Sequence, residues 1–303
     1  MKLLAPSADR VEPSSARRLW CRSAGLALAG PSLASLAGCA GVKVPGSTDA
    51  GAPGPLGARV QGPGTAATPS GAAGQPAGSG LVEPVLAPFS QGPRAIGPGR
   101  WEPWGRHPTK PPTRYDIIRE DAKPVLQARA TSSVSGLKHR VNRPAQEFSQ
   151  IRWRWRIDSI LKGADVGDRH AEDAPARLLL AFDGDRNQLS MRDLMLAEQF
   201  QLFTGQVMPY ATLMYVWDST RNEGEVVHNP HSGRIRKVVV QSGGNQVGRW
   251  VSYQRDFQSD FLKAFGESPG RLIGVGVMTD SDNTRQSVRC LYGDVELLPR
   301  KAS

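Results

Sequence analysis

Side-chain oxygens are concentrated in one short stretch near the end of the chain, GVGVMTDSDNT. Asp280, Asp282 and Asn283 could supply three of the six to eight oxygen ligands that calcium takes in proteins. Asp294, in the following segment YGDV, could supply a fourth if the last two strands pair. The stretch is therefore a candidate calcium site at the turn between two strands.

A simpler interpretation of the same stretch is a capped turn. It does not follow the EF-hand pattern, because Arg285 stands at the sixth loop position instead of glycine and Leu291 stands at the twelfth instead of glutamate. Asp, Asn and Thr side chains commonly close turns by bonding to nearby backbone groups. We take the capped turn as the leading interpretation and calcium, the one cofactor considered, as the alternative.

The segment IRWRWRI carries a second set of candidate residues. In a strand, alternate side chains point to opposite faces, so Trp153 and Trp155 lie on one face and Arg152, Arg154 and Arg156 on the other. The tryptophans could form a platform for sugar rings or belong to the core of a sandwich, and the core is favoured. The arginines could hold an anionic ligand or form a merely solvated face. All five residues are ligand-binding candidates.

No residue is assigned a catalytic role. A glycosidase needs two facing carboxylates, and the acidic residues offer no pairing that the sequence can verify. The G-x-S-x-G turn of serine hydrolases does not occur in the sequence. Whether the chain is an enzyme is left open, and a binding protein is favoured.

The first 39 residues have the outline of a bacterial lipoprotein signal. Arg17, Arg18 and Arg22 precede an uncharged run that is too short, and too interrupted by Pro31, to span a bilayer. The run ends in LAGC, which matches the lipobox of bacterial lipoproteins. We predict that Cys39 receives the lipid and becomes the mature N-terminus.

The residues around the lipobox suggest a location. Ala40 stands where aspartate usually retains lipoproteins at the inner membrane, which favours the periplasmic face of the outer membrane. Export could follow the general secretory or the twin-arginine route. Cys21 leaves with the signal and Cys39 is lipidated, so Cys290 has no partner for an internal disulfide and is expected to pack within a strand.

The composition divides the remaining chain into two parts. Residues 40–99 are rich in Gly, Pro and Ala, which cannot bury enough apolar surface to offset the entropy of ordering, and they predict a disordered tether. Residues 100–303 form the predicted folded domain. The net charge of +10 is spread along the chain, which favours anionic partners but not nucleic acid.

The folded part alternates between apolar and polar residues. This pattern predicts about nine strands of five to nine residues, separated by turns. Two stretches have helical spacing instead: MRDLMLAEQFQLFTG after Ser190, and DFQSDFLKAFGE. The predicted fold is mainly β, an antiparallel β-sandwich or jelly roll with one or two inserted helices.

The order of several segments resembles a bacterial family catalogued as domain of unknown function 3047. These segments include VLQARATSSVSGL, IRWRWRID, MPYATLMYVWD, HNPHSGRIRKVVV and GVGVMTDSDNT, and the resemblance extends over about Tyr115 to Leu298. It implies an envelope-associated bacterial protein without an assigned activity, and a jelly roll like that of carbohydrate-binding modules.

The sequence thus favours a lipid-anchored periplasmic protein that binds a glycan or another cell-envelope component without catalysis. One alternative is a hydrolase that acts on envelope polysaccharide. Another is a structural envelope protein without a ligand. The expected partners are the membrane, through the N-terminal lipid, and a glycan or anionic envelope component.

Overall fold

A computed structural model of the protein describes residues 84–204 and 206–300. Within these residues, thirteen strands form two sheets that pack face to face, and two α-helices are inserted between strands. The predicted mainly β sandwich of the jelly-roll class is confirmed. The strands are β1 (Glu102–Trp104), β2 (Arg114–Glu120), β3 (Lys123–Thr131), β4 (Val134–Pro144), β5 (Phe148–Ile157), β6 (Ala174–Phe182), β7 (Ala211–Asp218), β8 (Val226–His228), β9 (Ile235–Ser242), β10 (Val251–Arg255), β11 (Arg271–Asp280), β12 (Ser287–Tyr292) and β13 (Glu296–Pro299).

The larger sheet has seven strands in the order β1-β4-β11-β6-β7-β9-β8. Its pairs are antiparallel except for β7 and β9, which run parallel. The exception arises because β8 forms a hairpin with β9 at the sheet edge, so the chain enters β9 in the direction of β7. The antiparallel prediction therefore needs correction at this one pair.

The smaller sheet has the order β10-β5-β12-β3-β2, with β13 also paired to β5. Its inner face packs against the inner face of the larger sheet. Trp153 and Trp155 of β5 meet Leu178 of β6 and Tyr215 of β7 in this core, and the rings of Trp153 and Tyr215 stack with centroids 4.9 Å apart. Burial of such large aromatic rings is a principal source of stability for a sandwich.

The folded domain begins earlier than residue 100, which corrects the predicted end of the tether. Leu86, Phe89 and Ala95 are buried in the core, and a short 3-10 helix, Phe89–Ala95, lies among them. The Phe89 ring packs on Trp101 with centroids 4.9 Å apart. These apolar residues are enough to order a segment whose composition resembles a linker. The predicted signal with Cys39, and the rest of the predicted tether, lie outside the described residues.

Both predicted helices are present: α1 (Met191–Thr204) and α2 (Phe257–Phe265). The Ser190 hydroxyl oxygen accepts a hydrogen bond from the Asp193 amide at the start of α1. The Asp256 carboxylate caps α2, which ends at Gly266 in the left-handed region (φ 76°). In the described part of the chain, no helix is long and apolar enough to cross a membrane.

Candidate anion-binding groove

A groove of about 620 Å³ opens on the outer face of the smaller sheet. It exists because the strands around it diverge. β12 stays paired with β3 up to Tyr292 opposite Leu126, whereas β13 continues along β5 alone from Glu296 opposite Arg152. The first residues of β3 therefore have no strand beside them on that side, and the gap is the groove. It is lined by Ser90, Ala122, Lys123, Pro124, Arg152, Trp153, Arg154, Ser252, Gly293, Asp294 and Glu296.

The predicted arginine row reaches this groove, but its three members are held differently. Arg152 forms an ion pair with Glu296 at 2.5 Å, and Arg156 forms one with Glu120 at 2.6 Å. Arg154 has no carboxylate within 4.0 Å among the described residues. The charge of Arg154 is therefore available to a ligand.

Arg154 is instead held by an aromatic ring that the sequence analysis missed. Its guanidinium carbon lies 4.5 Å from the ring centroid of Trp250, and that of Arg156 lies 5.7 Å from the same ring. Such cation–π contacts restrain a long side chain without neutralising it. The segment GRWVSYQ could have indicated this ring, because strand alternation places Trp250 on the face opposite Val251.

Gly293 makes room for this arrangement. A Cβ atom at this position would lie 2.5 Å from Nε and 2.6 Å from Cγ of Arg154. Cγ belongs to the aliphatic stem, which cannot swing aside as the end of a side chain can, so any residue other than glycine would push Arg154 out of its position along the sheet. The glycine thus shapes the floor of the groove.

The turn between β2 and β3 forms another wall of the groove. Asp121 and Ala122 both have positive φ, 48° and 64°, as the two-residue turn of a tight hairpin requires. Alanine is unfavourable in this conformation. Lys123, which follows directly, is exposed and has no carboxylate within 4.0 Å in the described ranges. It is thus a second cation of the groove that no carboxylate of the described residues neutralises.

The structure places Trp153 and Trp155 in the core, as the favoured interpretation expected, and not on a sugar platform. Their side chains are 2% and 0% exposed, because both rings lie between the sheets, where Trp153 stacks on Tyr215 and Tyr253. The interpretation of both tryptophans as core residues is correct. Trp153 contributes only to the floor beneath the groove.

The acidic turn after β11 lies at a separate place in the fold. Asp173, Asp280 and Asp282 each offer a carboxylate oxygen within 4.8 Å of the others. Asp280 accepts hydrogen bonds from Arg177 Nε at 3.0 Å and Nη2 at 2.8 Å, and Asp282 forms an ion pair with Lys110. Burial raises the pKa of Asp280 to about 7, while the Arg177 guanidinium acts in the opposite direction.

The remaining predicted calcium ligands are arranged differently from the expectation. The backbone N–H groups of Asn283 and Thr284 donate to the Asp173 carboxylate at 3.2 and 2.6 Å, so Asp173 caps the turn. Asp294 does not join this group. Its carboxylate accepts hydrogen bonds from the Ser90 amide at 2.8 Å and hydroxyl at 2.6 Å, because the chain between β12 and β13 directs it toward the groove. These contacts favour the capped turn.

A further unusual ionisable group is a buried lysine on β9 of the larger sheet. Lys237 is fully buried; its ammonium group donates to Glu172 at 2.5 Å and to the backbone oxygen of Val166. Burial lowers the pKa of Lys237 from 10.5 to about 8. The sequence gives no sign of this environment, since Lys237 stands in the polar start of an ordinary strand.

Comparisons with solved structures found carbohydrate-active proteins at low similarity. An endoglucanase, cel12A from Rhodothermus marinus, has 13% identity and a TM-score of 0.41, with 69% of this chain and 96% of that chain covered. A xylan-binding domain, CBM22-1 of Xyn10C from Paenibacillus barcinonensis, has 14% identity and a TM-score of 0.31, with 72% and 97% covered. The xyloglucanase domain of NopAA from Sinorhizobium fredii has 8% identity and a TM-score of 0.37, with 66% and 93% covered.

A comparison with curated proteins found no match. Residues 99–296 match a family described as a protein of unknown function, DUF3047. The matched range includes nearly the whole two-sheet domain and agrees with the resemblance seen in the sequence. The chain therefore belongs to the DUF3047 family.

Proposed function

We propose that this domain is a non-catalytic binding module and that its groove takes an acidic glycan or another anionic component of the cell envelope. The observation that carries the proposal is Arg154, a cation without a carboxylate partner among the described residues, held along the groove by Trp250. An arginine restrained in this way loses less conformational freedom when it binds. Its planar guanidinium matches a carboxylate or sulfate group.

The other polar groups of the groove suit a charged sugar. Lys123 provides a second cation, and Ser252, exposed on β10, offers a hydroxyl for hydrogen bonding. Concave sites of this kind orient a ligand through a few well-placed polar groups. A sugar that carries an acidic substituent can use the cations for affinity and the hydroxyl for orientation.

The carboxylates of the groove support binding rather than hydrolysis. Glu296 forms an ion pair with Arg152, and Asp294 accepts two hydrogen bonds from Ser90. A glycosidase needs one carboxylic acid and one free carboxylate that face each other across the bond to be cleaved. Since both acidic groups already have structural partners, we favour a binding site.

The proposed envelope location follows from the N-terminal sequence, and it has its own test. A lipid on Cys39 would anchor the protein to the outer membrane and hold the domain in the periplasm. Metabolic labelling with a fatty acid and membrane fractionation should show label and membrane association that the Cys39→Ser variant lacks. Soluble, unlabelled wild-type protein would contradict the anchor without bearing on the groove.

Titration calorimetry with a galacturonic acid tetrasaccharide tests the groove, with the neutral galactose tetrasaccharide as ligand control. We expect the acidic ligand alone to bind, and Arg154→Ala to weaken binding about tenfold or more, because a charge-assisted hydrogen bond is lost. Arg169→Ala, which removes an equal charge from an exposed loop, is the matched control and should bind like the wild type. Equal binding of both tetrasaccharides, or no effect of Arg154→Ala, would contradict the proposal.

A further inference from the structure

Three arginines stand directly opposite one another at the other end of the same outer face. Arg114 of β2 is paired in register with Arg129 of β3, and Arg129 is paired in register with Arg289 of β12. The three residues belong to adjacent strands, so their side chains leave the sheet in one row. We call this row the arginine ladder.

The ladder is unfavourable for the stability of the free domain. Like charges directly opposite each other on neighbouring strands destabilise a sheet. Arg129 pairs with Asp116 at 3.3 Å, but both side chains are more than half exposed, and such pairs contribute little. Arg289 pairs with Asp158, whereas Arg114 has no carboxylate within 4.0 Å in the part of the chain that is described. Arg114 is therefore the member of the ladder whose charge the described residues leave free for an anionic partner.

The geometry of the ladder matches a linear polymer with regularly spaced charges. Neighbouring strands lie about 4.8 Å apart, so the three arginine side chains leave the backbone at intervals comparable to the length of one sugar unit. Asp158, directly after β5, lies opposite Arg289 of β12: its backbone amide donates a hydrogen bond to the backbone carbonyl oxygen of Arg289 at 3.0 Å. Asp158 is four residues from Arg154 along the chain, about 13 Å at the usual strand rise. A chain of several acidic units could therefore contact both the ladder and the groove.

We infer that the ladder is a second subsite for the ligand of the groove and that this ligand is a linear acidic polysaccharide. The inference rests on the proposed function and extends it from a charged sugar to a polymer. Single-stranded nucleic acid is less suitable, because its binding relies on exposed aromatic rings for base stacking. Among the described residues, the row across these strands consists of the three arginines and Asp158, and none of them is aromatic.

A length series distinguishes the two subsites. We would titrate the full chain with the galacturonic acid disaccharide, which at about 10 Å is shorter than the distance between the groove and the ladder, and with polygalacturonate, using the wild type, Arg114→Ala/Arg129→Ala and Arg154→Ala. The ladder variant should bind the polymer about tenfold more weakly, since two exposed charge contacts are removed, and should bind the disaccharide with unchanged affinity, since the disaccharide does not reach the ladder. Arg154→Ala should weaken binding of both ligands. Arg169→Ala/Lys263→Ala removes two charges from exposed positions in the loop between β5 and β6 and on α2, and it is the matched control.

Each deviating outcome has a distinct meaning. Unchanged polymer affinity in the ladder variant would overturn the ladder subsite even if the groove binds. Normal disaccharide binding by Arg154→Ala, with weaker polymer binding by the ladder variant, would contradict the groove subsite and support the ladder subsite. Tighter binding of single-stranded DNA than of polygalacturonate would overturn the polysaccharide assignment.

A measurement without any ligand provides a second test. Because Arg114 has a like charge opposite and no carboxylate partner among the described residues, Arg114→Gln should raise the melting temperature at low ionic strength. The rise should disappear in high salt, where exposed charges are screened. A lower melting temperature at both salt concentrations would mean that Arg114 serves the fold, and it would remove the argument for a ligand.

Discussion

The buried lysine of β9 makes stability depend on pH in a direction that can be worked out from the structure. Lys237 is fully buried, and burial lowers its pKa from 10.5 to about 8. Below pH 8 the lysine is charged in the folded and unfolded states, and the folded state bears the cost of burying the charge. Between pH 8 and 10.5 the folded state releases its proton first, so the free energy of unfolding rises with pH.

The size of this effect follows from the difference between the two pKa values. A difference of about 2.5 units corresponds to about 3.4 kcal/mol in total, and about 2.5 kcal/mol of this appears between pH 7 and pH 10. Lys237→Met replaces the ammonium group with an apolar side chain of similar length and removes this contribution. Groups that titrate equally in both proteins cancel when the two stability curves are subtracted.

Urea denaturation of the wild type and Lys237→Met at pH 7, 8, 9 and 10 measures this difference. The stability of the wild type should rise relative to the variant by about 2.5 kcal/mol across the series. Lys263→Met, at an exposed position of α2, is the control and should show no such trend. A difference curve that stays flat would refute the argument, because Lys237 would then titrate alike in the folded and unfolded states.

Three further predictions concern turns and caps. Ala122→Gly should raise the free energy of unfolding by about 1 kcal/mol in urea titrations, since glycine adopts the left-handed φ of 64° without strain; a loss of stability would contradict this. Asp256→Ala should lower the free energy of unfolding by about 1 kcal/mol, because two backbone amides of α2 lose their hydrogen-bond acceptor, whereas Asp256→Asn should retain most of the stability. Calcium should leave the melting temperature unchanged, since Asp280 and Asp282 already pair with basic side chains; a rise that is lost in Asp280→Ala/Asp282→Ala would instead support the predicted calcium site.

The strands, the helices and the division between core and surface follow from local patterns. Alternation in IRWRWRI correctly separates Trp153 and Trp155, which lie in the core, from the arginines on the outer face. Ser190 and Gly266 mark the start of α1 and the end of α2. These features depend on residues close together in the chain, so the sequence is sufficient to predict them.

The groove and the ladder depend on which strands become neighbours, and local patterns do not contain this information. Asp294 meets Ser90, 204 residues away in the chain, at the rim of the groove. The ladder needs β2, β3 and β12 to be adjacent and in register. The burial of Leu86 and Phe89 likewise depends on a hydrophobic core supplied by distant strands. Composition alone therefore assigned their segment to the tether.

Mapping the bound ligand by NMR tests the central claim most directly. In a titration of isotopically labelled protein with the galacturonic acid tetrasaccharide, the account predicts that the largest amide shifts occur at Lys123, Arg154 and Gly293. These residues line the groove from three separate parts of the chain. Shifts confined to the larger sheet, for example at Lys138 and Arg140 of β4, would contradict the claim that the groove is the binding site.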